Sequence, residues 1–182
     1  VGMTTDERDG LFKGWRHHLH RQPEVGFAEH DTSAFIAERL AELGIDVARG
    51  IGGTGVVGTL RRGQADAVIG LRADMDALPL QEIDGRDHRS TRDGVMHACG
   101  HDGHMAMLLG AAHTLATDGG FDGRVRFVFQ PAEEHGRGAL AMLDDGLLDR
   151  FPVDAMYGLH NMPGMPAGHL LTRPGPIMAS ED

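Results

Sequence analysis

Within six residues, Cys99-Gly100-His101-Asp102-Gly103-His104, the chain sets four side chains that bind metals or carry protons. Cys99 is the only cysteine among 182 residues, so it has no disulfide partner within the chain. A thiol and an imidazole two positions apart can serve one or two metal ions, because both are good ligands for zinc and its first-row neighbours. A second cluster, acidic and imidazole in character, follows in Gln130-Pro131-Ala132-Glu133-Glu134-His135, and a third signal lies in Tyr157-Gly158-Leu159-His160-Asn161. Together they read as a metal-dependent hydrolase.

Each residue has a plainer alternative. In an extended segment Cys99 and His101 point to the same side and reach a common centre; otherwise Cys99 is a small buried hydrophobe and His101 a polar residue opening a helix. Neighbouring Glu133 and Glu134 point in different directions on an extended chain. One carboxylate can then hold an ion while the other takes a proton from water, although a Glu-Glu pair also suits a solvated turn. His160 projects from the end of a strand as a ligand or as a structural histidine. Asp74 and Asp76 share a face and can orient ligands. Asp102 serves as an N-cap of the helix through Met105. His17, His18, His20, His104 and His135 carry no comparable spacing argument.

The elements that position these groups follow from apolar periodicity. Leu11, Phe12, Trp15 and Leu19 recur at helical spacing, predicting a helix that closes near Pro23 after a tail over 1–10. Phe35, Ile36, Leu40 and Leu43 mark a second helix, with Asp31, Thr32 or Ser33 as N-cap and Gly44 as its stop. Runs Gly55 to Leu60, Ala67 to Leu71, Val125 to Phe129 and Ala155 to Leu159 read as strands. Met105, Leu108, Leu109, Ala112 and Leu115 define a third helix, and Ala139, Leu140, Leu143 and Leu147 a fourth. This alternation predicts an α/β fold, a mixed, largely parallel sheet flanked by helices on both faces. Asp74, Glu133 and His160 each follow a strand-like run, and ligands bind beyond the carboxyl ends of strands in such sheets.

Composition narrows the partners. A formal net charge of −10 argues against nucleic acid or an anionic membrane as the main partner. No run approaches the ~20 apolar residues of a membrane span, and a signal-peptide core is not seen. One cysteine fits a reducing compartment, so the expected location is cytoplasmic.

The motifs resemble the amidohydrolase branch of the dinuclear metallopeptidase family, which contains hippurate hydrolase, N-acyl-amino-acid amidohydrolases and auxin-conjugate hydrolases. The resemblance is carried by Trp15-Arg16-His17-His18-Leu19-His20 with Pro23-Glu24, by Leu71-Arg72-Ala73-Asp74-Met75-Asp76-Ala77-Leu78-Pro79, and by Met96 through His104. It continues through Phe129-Gln130-Pro131-Ala132-Glu133-Glu134 and Gly158-Leu159-His160. It implies a zinc-exopeptidase-like catalytic domain, with Cys99, His101, Glu134 and His160 as metal ligands, Glu133 as catalytic base and Asp74 as a supporting acid. It also implies two divalent ions (Zn, Mn, Ni or Co), an N-acyl amino acid substrate, and a full-length homodimer or homotetramer. Arg72 stands where other branches carry a ligand histidine, a departure that favours this branch over the aminopeptidase and carboxypeptidase ones. Family chains are about twice as long, so residues 11–182 are expected to form the N-terminal part of one catalytic metallohydrolase domain, stopping before a lid or dimerisation domain and a last histidine ligand. The alternatives are a metal-binding fragment without catalysis, or a peptidase of the same family.

Overall fold

A computed structural model of the chain describes residues 3–83 and 85–177. Its first helix, α1 (Thr5–Arg21), starts at a capping box: Thr4 accepts the Glu7 N–H, and the Glu7 carboxylate accepts the Thr4 N–H at 2.7 Å. The pair satisfies donors that a helix start leaves open. The helix therefore begins inside the stretch expected to be a tail, because Thr4 and Glu7 supply a start signal ahead of the apolar stripe.

Helix α2 (His30–Glu42) has no side-chain cap of its own. Its first-turn N–H groups, those of Asp31 and Thr32, donate instead to the Glu24 carboxylate at 3.3 and 2.8 Å. The expected caps Asp31, Thr32 and Ser33 are thus replaced by a residue from the preceding loop.

The described residues contain a five-stranded sheet: β1 (Asp46–Ile51), β2 (Gly55–Arg62), β3 (Val68–Asp74), β4 (Gly123–Gln130) and β5 (Ala155–Gly158), in the order β1-β2-β4-β3-β5. β1–β2 and β2–β4 are antiparallel, β3–β4 and β3–β5 parallel. The sheet is mixed, with half of its pairings parallel rather than most. β1 escaped the periodicity because it is an edge strand in which only Ile51 is fully buried. β3 runs three residues past Leu71 and ends on Asp74, which lies opposite Gln130 at the end of β4.

Period-two alternation divides β4 between two layers. Val125, Phe127 and Phe129 face a core built with Trp15 and Leu19 of α1, Ile36 and Leu40 of α2, and Met105 and Leu109 of α3 (His101–Asp118). Val128 faces the other side, against Ile51, Val57, Met142 and Leu147. Truncating fully buried Phe127 or Phe129 to alanine would cost about 3–5 kcal/mol. The helix expected from Ala139 to Leu147 is two pieces, α4 (Gly138–Asp144) and α5 (Leu147–Arg150), broken where Gly146 adopts φ 78°. The parallel strands β3, β4 and β5 end on one rim, and α3 starts beside it.

Candidate metal centre

Helix α3 opens on Gly100, whose left-handed φ of 87° turns the chain between Cys99 and His101. His101 is the first helical residue and is buried. Its Nδ1 lies 2.9 Å from the Asp76 carbonyl oxygen, which can only accept, so Nδ1 carries a proton and, in the neutral ring, Nε2 presents its lone pair. Nε2 is buried without a hydrogen-bond partner among the described residues. Around it stand Asp74 Oδ2 at 3.7 Å, Glu134 Oε1 at 3.7 Å and Glu133 Oε2 at 3.8 Å. A buried acceptor surrounded by carboxylate oxygens is unstable as a set unless a cation or protons join it. Burial opposes a charge on His101, but the bond to Asp76 and the carboxylates outweigh it and raise the pKa.

Cys99 completes the other side. Its half-buried Sγ lies 3.4 Å from His160 Nε2, and His160 Nδ1 donates to the Asn161 carbonyl at 2.7 Å. Burial first, then the adjacent Glu134 carboxylate, pushes the Cys99 thiol up to about 11. Three sets of ligand atoms within 4.8 Å of one another result: Cys99–His101–His160, Asp74–His101–His104 and His101–Glu133–Glu134. His101 belongs to all three. A thiol, imidazoles and carboxylates gathered around one buried histidine fit a transition-metal centre better than magnesium or calcium, which favour all-oxygen shells.

Loops bring the carboxylates in. Asp76 is buried, and its two oxygens accept the N–H groups of Glu133 and Glu134 at 3.0 and 3.1 Å. From the other side, buried Glu29 accepts the Ala132 N–H at 2.8 Å and the Thr54 hydroxyl at 2.6 Å, holding Ala132 at φ 47°. Burial raises the pKa of Glu133. Asp74 differs: burial would raise it, but the bond from His104 Nδ1 at 2.6 Å and Arg72 Nη1 at 2.8 Å hold it at about 2. Arg72 also donates to Gln130 Oε1 from Nε and Nη2, at 2.9 and 2.7 Å, so it ties the ends of β3 and β4 together.

All six residues singled out from the sequence, Asp74, Cys99, His101, Glu133, Glu134 and His160, therefore meet at one place. Asp102 is a correction. It sits inside the first turn of α3 rather than at its cap, and there it accepts from His20 Nδ1 at 2.9 Å and Arg16 Nε at 3.0 Å. His104, for which no spacing argument was made, joins the site; its position three residues after His101 puts both on one helix face, with rings 5.3 Å apart. His135 turns away to stack on Phe27. No helix among the described residues is long and apolar enough to cross a membrane.

Comparisons with known proteins agree with this geometry. The profile of peptidase family M20/M25/M40 matches residues 70–177. Hippurate hydrolase of Campylobacter jejuni is 49% identical over 173 residues, covering 95% of this chain and 45% of that protein. Thermostable carboxypeptidase 2 of Saccharolobus solfataricus is 44% identical, over 92% of this chain and 43% of its own length. The crystal structure of the Bacillus subtilis YXEP protein, described as a dinuclear metal-binding peptidase of the M20 family, superposes with a TM-score of 0.83 at 39% identity, over 90% of this chain and 45% of that one. The chain thus spans less than half the length of the relatives it matches.

Proposed function

Because the chain belongs to peptidase family M20/M25/M40, we propose that the full-length protein hydrolyses the amide bond of N-acyl amino acids with two divalent ions, drawn from zinc, manganese, nickel and cobalt. Cys99, His101, Glu134 and His160 are the ligands in this reading, Glu133 is the base, and Asp74 supports them. The observation that carries it is His101 Nε2, which has no hydrogen-bond partner among the described residues and is buried among three carboxylates, on a residue common to every ligand set. When bound, the ions supply Lewis acidity toward the amide carbonyl and lower the pKa of a water held there.

The chain's own groups supply the rest. Glu133, with its pKa raised by burial, takes the proton of the attacking water and returns it to the leaving amine, general base and then general acid. Asp76 holds the Glu133 and Glu134 backbone so that the two carboxylates divide these tasks. Asp74, clamped by Arg72 and His104, places a fixed negative charge beside His101. The Campylobacter relative's name, hippurate hydrolase, supports an N-acyl amino acid as substrate.

A second reading within the family, a peptidase, is favoured by the carboxypeptidase relative. The same account carries a homodimeric or homotetrameric full-length form, which light scattering measures. The isolated 182 residues are expected to bind metal but turn over poorly. The test is a panel of N-acyl amino acids, dipeptides and phosphoesters, assayed on full-length protein with each metal and after chelation. Metal-dependent turnover of N-acyl amino acids is expected. Preference for dipeptides would select the peptidase reading, and turnover of phosphoesters alone would overturn both.

A further inference from the structure

Gly100 has no part in the reading above, His104 serves in it only to clamp Asp74, and both face one further residue. Gly100 caps α3 at φ 87°, and a Cβ added there would collide with the Asn161 side-chain amide nitrogen. His104, buried one turn into α3, places Nε2 at 3.1 Å from the Asn161 N–H and 2.6 Å from Asn161 Oδ1. The backbone N–H and the side-chain Oδ1 of Asn161 thus converge on one ring nitrogen of His104. The ring itself is fixed by its bond to Asp74, which Arg72 grips in turn.

Asn161 immediately follows His160, and its backbone carbonyl accepts the His160 Nδ1–H at 2.7 Å, which turns His160 Nε2 toward Cys99 Sγ at 3.4 Å. The His104 and His160 rings meet edge to face at 4.6 Å. β5 pairs with β3 only as far as Gly158. Beyond that point sheet hydrogen bonds do not fix His160, and its aim depends on the residues around it.

We propose that Asn161 is a positioning residue, seated in a socket made by Gly100 and His104, through which helix α3 aims His160 at the metal centre. The proposal rests on the metal-centre reading. In it, Gly100 and His104 are one device: the glycine leaves room for the amide and the histidine binds it. Orienting partners of this kind are worth about 10–100-fold in metal affinity.

The test uses full-length protein, zinc and cobalt(II) competed against a chromophoric chelator, the cobalt–thiolate absorption band, and melting of the metal-free protein. Asn161→Ala and His104→Asn, which keeps a donor toward Asp74 but drops Asn161, are compared with Cys99→Ser. Expected is about 10–100-fold weaker binding of one ion in both positioning variants, an altered cobalt spectrum, and a metal-free melting point for Asn161→Ala within ~3 °C of wild type. Wild-type affinity and spectrum in Asn161→Ala, with metal lost in Cys99→Ser, would overturn the proposal and leave the metal centre standing. A metal-free melting point that falls in step with affinity would make Asn161 structural and overturn it too. Unchanged affinity in Cys99→Ser would sink the metal centre and the proposal together.

Discussion

Asp76 does three things with one residue: its carboxylate accepts two successive N–H groups and its carbonyl fixes the tautomer of His101. Burial would raise its pKa, yet the bond toward His101 and the two backbone donors outweigh that and lower it. Asp76→Asn keeps the shape but turns an NH2 toward one of those donors, leaving it unsatisfied at about 1–3 kcal/mol. We expect kcat of the full-length enzyme to fall about 10–100-fold with its circular dichroism unchanged; unaltered kcat and metal content would remove Asp76 from the arrangement. At this scale the ligand-type residues were legible, because Cys99, His101, Glu133 and Glu134 are chemically conspicuous at short spacing. Asp76's grip on the Glu133 backbone was not, since which N–H groups a carboxylate meets depends on a loop whose path no periodicity encodes. Cys99→Ser, measured by equilibrium dialysis, is expected to weaken metal uptake sharply, because a hydroxyl replaces a thiolate ligand poorly.

The loop after β4 is the element on which the site turns. Glu29 and Asp76 hold it by its backbone, and Gly138 at the start of α4 lies so close that an added Cβ would clash with the Pro131 carbonyl oxygen. Gly138→Ala must therefore displace Pro131 and the residues that follow. The expected outcome is about 1–3 kcal/mol lower stability in urea melts together with reduced kcat, and a variant that is stable and fully active would show that the loop tolerates the shift. Elements with a strong apolar stripe, α1 through Trp15 and Leu19 or β4 through Phe127 and Phe129, could be read from sequence. Those set by edges and special backbone could not: β1 buries little, Glu24 caps α2 across a loop, and Gly146 divides α4 from α5 by its left-handed φ.

Across the whole molecule, a buried charge cluster joins α1 to α3 behind the site. His20 binds Asp102 at 2.9 Å and Glu82 at 3.2 Å, and all three are buried. The bond to Asp102 raises the His20 pKa against burial, while burial of Asp102 is outweighed by His20, so that carboxyl sits at about 2. A histidine with a raised folded pKa stabilises fully below its unfolded value, about 6.5, and loses that contribution as pH climbs through the folded value. Relative to His20→Gln, wild type should be more stable by about 3 kcal/mol near pH 6, with the gap narrowing in urea melts as the pH rises through the raised folded value; a gap constant with pH would mean that His20 carries no proton there. In the proposed function, the fold behind this cluster serves one end, a base beside a metal centre. The most direct measurement is turnover and elemental analysis of full-length Glu133→Gln. Two ions per chain are expected, as in wild type, with kcat on N-acyl amino acids lower by about 10²–10⁴-fold; wild-type kcat in that variant would remove Glu133 from the role of base.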